Sequence, residues 1–173
     1  MKTLLLLLFT TIAFAQGHIY FGAGLDVRNA TFGSTPTQNK SAMDLMLKYG
    51  MISDNRIECT INYETFPKIG FKKFSFGVGI GIPITPKITI VPTIEPTLID
   101  RNWSVQYGNS INGGQSSHLS IGFSMPIRVE LNDKFDLEVL TNGLVRTDLK
   151  AKYGDSKTVI STYVMIIYKL DLN

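Results

Sequence analysis

Cysteine, histidine, tryptophan and charge are all scarce in this 173-residue chain. The single cysteine, Cys59, cannot form an internal disulfide, so no disulfide framework holds the fold. No neighbouring basic residue activates its thiol, and it reads as a small apolar residue. The two histidines, His18 and His118, lie on different segments without metal-ligand spacing, so no zinc site is indicated. There is no GxSxG elbow and no phosphate-binding glycine loop. Gly77, Gly79 and Gly81 alternate within one segment and do not open a helix. Glu58 and Glu64 do not define a paired-carboxylate site by their spacing, and no cofactor is implied. Charged residues make up 18% of the chain, against about 25% in ordinary soluble domains. The net charge is only +3 and the basic residues do not cluster, which excludes a nucleic-acid footprint. Beyond the first residues no apolar run approaches the roughly 20 residues that a membrane helix needs.

What is present begins at the N-terminus. Lys2 supplies a positive n-region, Leu4 to Phe9, extended through Ile12, an apolar core, and Ala13-Phe14-Ala15 a small-x-small cleavage site. Residues 1–15 are therefore expected to be a secretory signal, with the mature chain starting at Gln16. Cys59 lies far from that site, so lipid attachment at a new N-terminal cysteine is excluded. The remaining residues, 16–173, suffice for one domain.

The mature chain carries eight segments in which apolar residues occupy every second position. The clearest runs from His118 to Leu131: Leu119, Ile121, Phe123, Met125, Ile127, Val129 and Leu131 alternate with Ser120, Gly122, Ser124, Pro126, Arg128 and Glu130. Strand side chains point alternately to opposite faces, so each such segment has one apolar and one polar face. The same pattern places Ile19, Phe21, Ala23, Leu25 and Val27 opposite Tyr20, Asp26 and Arg28, and Met43, Leu45, Leu47, Tyr49 and Met51 opposite Asp44, Met46 and Lys48. It places Ile57, Cys59, Ile61 and Tyr63 opposite Glu58, Thr60, Asn62 and Glu64, and Phe74, Phe76, Val78, Ile80 and Ile82 opposite Lys73, Ser75 and three glycines. A fifth segment alternates Ile88, Ile90, Ile94 and Leu98 with Thr89, Thr93, Glu95 and Thr97. A seventh alternates Phe135, Leu137, Val139 and Val145 with Asp136, Glu138, Asn142 and Arg146. The last alternates Ile160, Val164, Ile166, Tyr168, Leu170 and Leu172 with Ser161, Tyr163, Lys169 and Asp171.

The connections alternate in length. Ser53-Asp54-Asn55, Thr85-Pro86-Lys87 and Asn132-Asp133-Lys134 read as tight turns. Residues 29–40, 102–117 and 148–156 read as long polar loops, and the link near Pro67 is short. Three-residue turns would pair Met51 with Ile57, Ile84 with Ile88 and Leu131 with Phe135, apolar with apolar each time, and would set Arg128 opposite Glu138. The expected architecture is all-β: an eight-stranded antiparallel up-and-down transmembrane β-barrel, tight turns on the periplasmic side.

Alternation alone does not say which face is inside. A soluble, lipocalin-like barrel would bury the apolar face and bind a small apolar ligand. Here the polar face is rich in glycine, serine and threonine, which suits the narrow interior of eight strands better than a solvated surface. Its charges have both signs. Asp26, Glu58, Glu95 and Glu138 are expected to be balanced in the lumen by Lys48, Arg101, Arg128, Arg146 and Lys169, because buried charge must be paired. On the apolar face, Tyr49, Phe135 and Tyr168 would mark the periplasmic boundary of a bilayer, and Tyr63 and Phe74 the outer one. Trp103, beside the outer end of the fifth strand, reads as a further anchor. Pro83, Pro92, Pro96 and Pro126 fall in or near strands and should produce bulges or local bends at some of these sites, and a bulge around Pro92 to Pro96 would shift the parity of the residues beyond it.

The export signal, the eight amphipathic strands and the loop alternation resemble the small outer-membrane barrel family that includes OmpX and the membrane domain of OmpA. The likeness covers almost the whole mature chain, although the last strand ends Leu172-Asn173 instead of in an aromatic residue. The resemblance implies a non-enzymatic bacterial outer-membrane barrel. Its lumen would be plugged by side chains, its wall would meet outer-membrane lipid, and the barrel-assembly machinery would act during insertion. Loops 29–40 and 102–117 would then meet an extracellular partner, serving envelope integrity or surface contact. Two alternatives carry specific residues. Small lumen glycines would allow a narrow channel. His118-Leu119-Ser120 weakly resembles the His-x-Ser of lipid A deacylase barrels, with Glu130 the nearest acid and Ile121 where that family has asparagine.

Overall fold

A computed structural model describes residues 17–27, 43–67, 70–107, 110–149 and 157–171, with the side chains of 103–112 outside the description. The expected signal, its cleavage before Gln16, Arg28, the 29–40 loop and Leu172-Asn173 all lie outside the described residues.

Ten strand segments make one closed antiparallel sheet: β1 (Gly17–Asp26), β2 (Leu45–Ser53), β3 (Ile57–Phe66), β4 (Phe71–Ile80), β5 (Ile82–Thr85), β6 (Ile88–Ile90), β7 (Thr93–Tyr107), β8 (Ser110–Glu130), β9 (Phe135–Arg146) and β10 (Lys157–Asp171). β4 and β5 are one stave interrupted at Gly81, and β6 and β7 are one stave interrupted at Val91-Pro92, so the wall has eight staves. β1 pairs with both β2 and β10, and β8 pairs with both β7 and β9, which leaves the ring without a free edge. No helix among the described residues is long and apolar enough to cross a membrane.

The faces follow the alternation. Phe21, Leu47, Phe74, Ile94, Ile121, Phe123 and Ile166 point outward and are exposed, while Asp26, Lys48, Glu58, Glu95, Arg128 and Glu138 point inward and are buried. The inside-out arrangement of a soluble ligand-binding barrel is therefore excluded. Glycines at inward positions make room for bulky neighbours. A side-chain carbon on Gly50 would lie 2.1 Å from the Tyr20 ring, and one on Gly22 2.4 Å from Ile167.

Two turn registers need correction. Met51 pairs with Cys59, not Ile57. The turn keeps three residues but is Asp54-Asn55-Arg56, one position later than expected, with Arg56 left-handed at φ 63° and donating its N–H to the Ser53 carbonyl (2.8 Å). The offset is two positions, so the faces survive. At the second turn the register slips between Pro83 and Thr85, and Thr85 meets Ile88 where Ile84 was expected. Around Pro92 to Pro96 the faces stand as the alternation placed them: Ile88, Ile90, Ile94 and Leu98 share the outward parity, and β6 and β7 hold one register against β8. Each proline omits a single ladder bond while the flanking pairs keep the strand aligned.

Residues 102–117 are also not a loop. β7 and β8 stay paired from Thr93–Ser124 out to Tyr107–Ser110, so this stretch is a two-stranded ribbon. It extends past the last β4 partner, Arg101, and past the end of β9.

Candidate functional site: the barrel lumen

The lumen is filled in tiers. Above the turn end, Lys48 on β2 donates to Glu138 on β9 at 2.9 and 3.1 Å and lies 3.4 Å from Glu58. Arg128 on β8 donates to Glu138 (2.7 Å) and to Glu58 on β3 (3.1 and 3.2 Å). Two cations and two carboxylates thus share one desolvated site of zero net charge. Tyr20 closes it, donating its hydroxyl to Glu58 while its ring faces the Arg128 guanidinium at 4.6 Å. β2 and β9, like β3 and β8, are not neighbours in the wall, so these contacts span the interior.

Next comes Glu95, whose buried carboxylate accepts from Ser124 (2.5 Å), Asn142 (3.1 Å), Ser75 (3.3 Å) and Asn62 (3.4 Å). Those donors come from four other strands, so one acid ties five staves together through neutral hydrogen bonds. Beyond it Lys73 pairs with Glu64 at 2.7 Å. At the hairpin end Asp148 takes Arg146 (2.6 and 2.7 Å) and Arg101 (3.0 Å). Burial would raise the Asp148 carboxyl, but the hydrogen bonds and charges of Arg146 and Arg101 outweigh it and hold it below the usual carboxylate range. Arg146 also stacks over Phe71 at 4.3 Å. At the turn end Lys169 pairs with Asp136 at 2.9 Å. There the lumen opens as a cup of about 450 Å³ bordered by Arg56, Glu130 and Asp133.

Of the expected lumen charges, Lys48, Glu58, Arg128 and Glu138 meet in one cluster. Glu95 stands apart in its neutral cage. Arg101 and Arg146 converge on Asp148, and Lys169 turns to Asp136. Asp26 is buried at the far end of β1. Sequence reading put Asp148 in a loop and gave Tyr20 and Lys73 no partners. It also missed the apolar share of the lumen: Met46, Leu140, Met165 and Ile167 pack with Tyr20 and Tyr163, and Phe66, Phe71, Ile99 and Leu144 form a second cluster. Their parity, inward like Lys48 and Glu138, was the available clue.

On the outside, Tyr49, Tyr63, Phe74, Phe135 and Tyr168 all face outward. Phe135 packs on Tyr168 with ring centres 5.2 Å apart, and Tyr63 is the register partner of Phe74. The Ser120 hydroxyl is committed to the Val145 carbonyl, and His118 Nε2 has no hydrogen-bond partner among the described residues. Glu130 sits exposed on the opposite rim. Among the described residues His118, Ser120 and Glu130 do not assemble an acid–histidine–serine relay.

No family model and no curated protein matches the sequence. Solved structures do match the fold. The N-terminal β-barrel domain of Pseudomonas aeruginosa OprF is 12% identical with a TM-score of 0.57, over 90% of this chain and 98% of that one. The Yersinia pestis outer membrane protein Ail, in a phospholipid bilayer nanodisc, is 14% identical with a TM-score of 0.57, over 90% and 100%. A crystal structure of Ail in complex with the heparin analogue sucrose octasulfate is 12% identical with a TM-score of 0.55, over 90% and 99%. The chain thus has the fold of the small eight-stranded outer-membrane barrels.

Proposed function

We propose that this chain is an integral protein of a bacterial outer membrane, exported by a cleaved N-terminal signal and inserted by the barrel-assembly machinery. It acts without enzymatic chemistry, in envelope integrity or surface contact. One observation carries the reading: exposed apolar side chains clothe the outside of a closed barrel while ion pairs span its inside. In water that arrangement would leave a continuous apolar surface unburied, whereas a bilayer solvates it. Phe135 and Tyr168 at the turn end serve as interfacial anchors, whereas Tyr49 and Tyr63, two positions apart across the β2–β3 pairing, share one stretch of the wall. The ribbon of residues 102–117 supplies the surface for an extracellular partner.

The lumen favours a plug over a channel, because Lys48–Glu138 and Arg128–Glu58 bridge non-adjacent staves. The test is membrane fractionation with electrophoresis before and after boiling, followed by reconstitution in planar bilayers. The proposal expects a detergent-extractable outer-membrane band whose mobility changes on boiling, and no discrete open steps. Recovery in the soluble fraction would overturn the location, and regular conductance steps would overturn the plug.

A further inference from the structure

The outward wall is not uniform. Ala23 lies in one cross-strand row between Ile166 and Leu47, and Leu47 in turn pairs with Tyr63. In the next row towards the turns, Phe21 pairs with Tyr49, their rings 5.1 Å apart. A single methyl group is thus ringed by large side chains, and a groove of about 570 Å³ opens above it. Hydrogen-bonded rows run obliquely to the axis of a tilted barrel, so the groove is a slanting trough.

We propose that this trough seats one acyl chain of a membrane phospholipid. The inference rests on the membrane reading above and adds a specific lipid site to it. The groove's chemistry selects the occupant. Its rim is carbon apart from tyrosine hydroxyls, and the one charged residue that reaches its floor, Lys48, turns its ammonium inward to Glu138 and Glu58. A polar or charged ligand finds no partner there. The trough is continuous with the apolar belt on either side, where hydrocarbon is the surrounding solvent. Tyr49, Tyr63 and Tyr168 stand at the rim, and a lipid chain can lie along their ring faces.

The test uses the full mature chain folded into vesicles of phosphatidylethanolamine and phosphatidylglycerol. The protein is extracted in mild detergent and retained phospholipid is counted by native mass spectrometry. Wild type should keep one phospholipid, and Ala23→Phe, which fills the trough, should lower that occupancy about tenfold. Boiling-dependent mobility checks folding. Should Ala23→Phe fail to fold, Leu47→Ala, which removes one bank, must show the same loss. Equal retention in wild type and variants overturns the site. So does a lipid-free dimer that Ala23→Phe disperses, because a second copy would then be the occupant. A wild-type chain that never enters vesicles sinks the membrane reading itself. One that inserts but retains no lipid sinks only the trough.

Discussion

Glu138 is the residue on which the lumen turns, since it accepts from both Lys48 and Arg128 with no water-facing surface. Removing its carboxylate leaves two buried cations against Glu58 alone. Breaking a buried pair from one side costs about 3–5 kcal/mol, because the abandoned charge has no other solvent. Glu138→Ala should therefore lower stability by about that amount, read from urea unfolding of the vesicle-inserted protein. The double replacement Lys48→Met with Glu138→Leu should recover most of it, since Arg128 and Glu58 still balance. A double variant as unstable as Glu138→Ala would show that shape, not charge, governs the site. The parity rule made the inward direction of all four residues legible in the sequence. It also gave the Arg128–Glu138 partnership, which spans one tight turn. The Lys48–Glu138 and Arg128–Glu58 contacts were not legible, because they depend on how the ring closes and no local spacing encodes that.

At the scale of elements, the staves were readable and their ends were not. Alternation persists through Pro92 and Pro96 because the pairs on either side of each proline hold one register, so the missing N–H groups do not force a change of face. The ribbon escaped notice for the opposite reason: residues 102–117 are polar and glycine-rich, and a sequence without alternating apolar residues shows no period of two. Beyond Arg101 it pairs with itself and takes no support from β4. Replacing residues 104–113 by Asn-Gly, a pair that favours a tight hairpin turn, should leave the barrel folded. The shortened protein should show the same shift on boiling and an unfolding free energy from urea titration within about 0.5 kcal/mol of wild type, as expected for changes outside the packed interior. A collapse of folding would show that the ribbon is part of the barrel's stability and not an appendage free to carry recognition.

For the whole molecule, everything turns on which solvent meets the outer wall. Ile94 offers a clean probe. It is 58% exposed, sits between Val78 and Phe123 in its row, and touches none of the lumen charges. Were the barrel dissolved in water, Ile94→Arg would exchange one exposed side chain for a better hydrated one, with a change of about 0.5 kcal/mol or less. In a bilayer the same guanidinium must be carried into hydrocarbon or bend the lipid around it, which costs about 2–4 kcal/mol near the midplane and less towards either interface. The penalty should therefore fall when the arginine is moved along the staves, from Ile94 to Leu170 near the turn end. Measured by urea titration of folding into vesicles, this depth dependence has no counterpart in an aqueous barrel. A flat, near-neutral response at both positions would mean that water, not lipid, bathes the apolar wall, and the assignment to a membrane would fall with it.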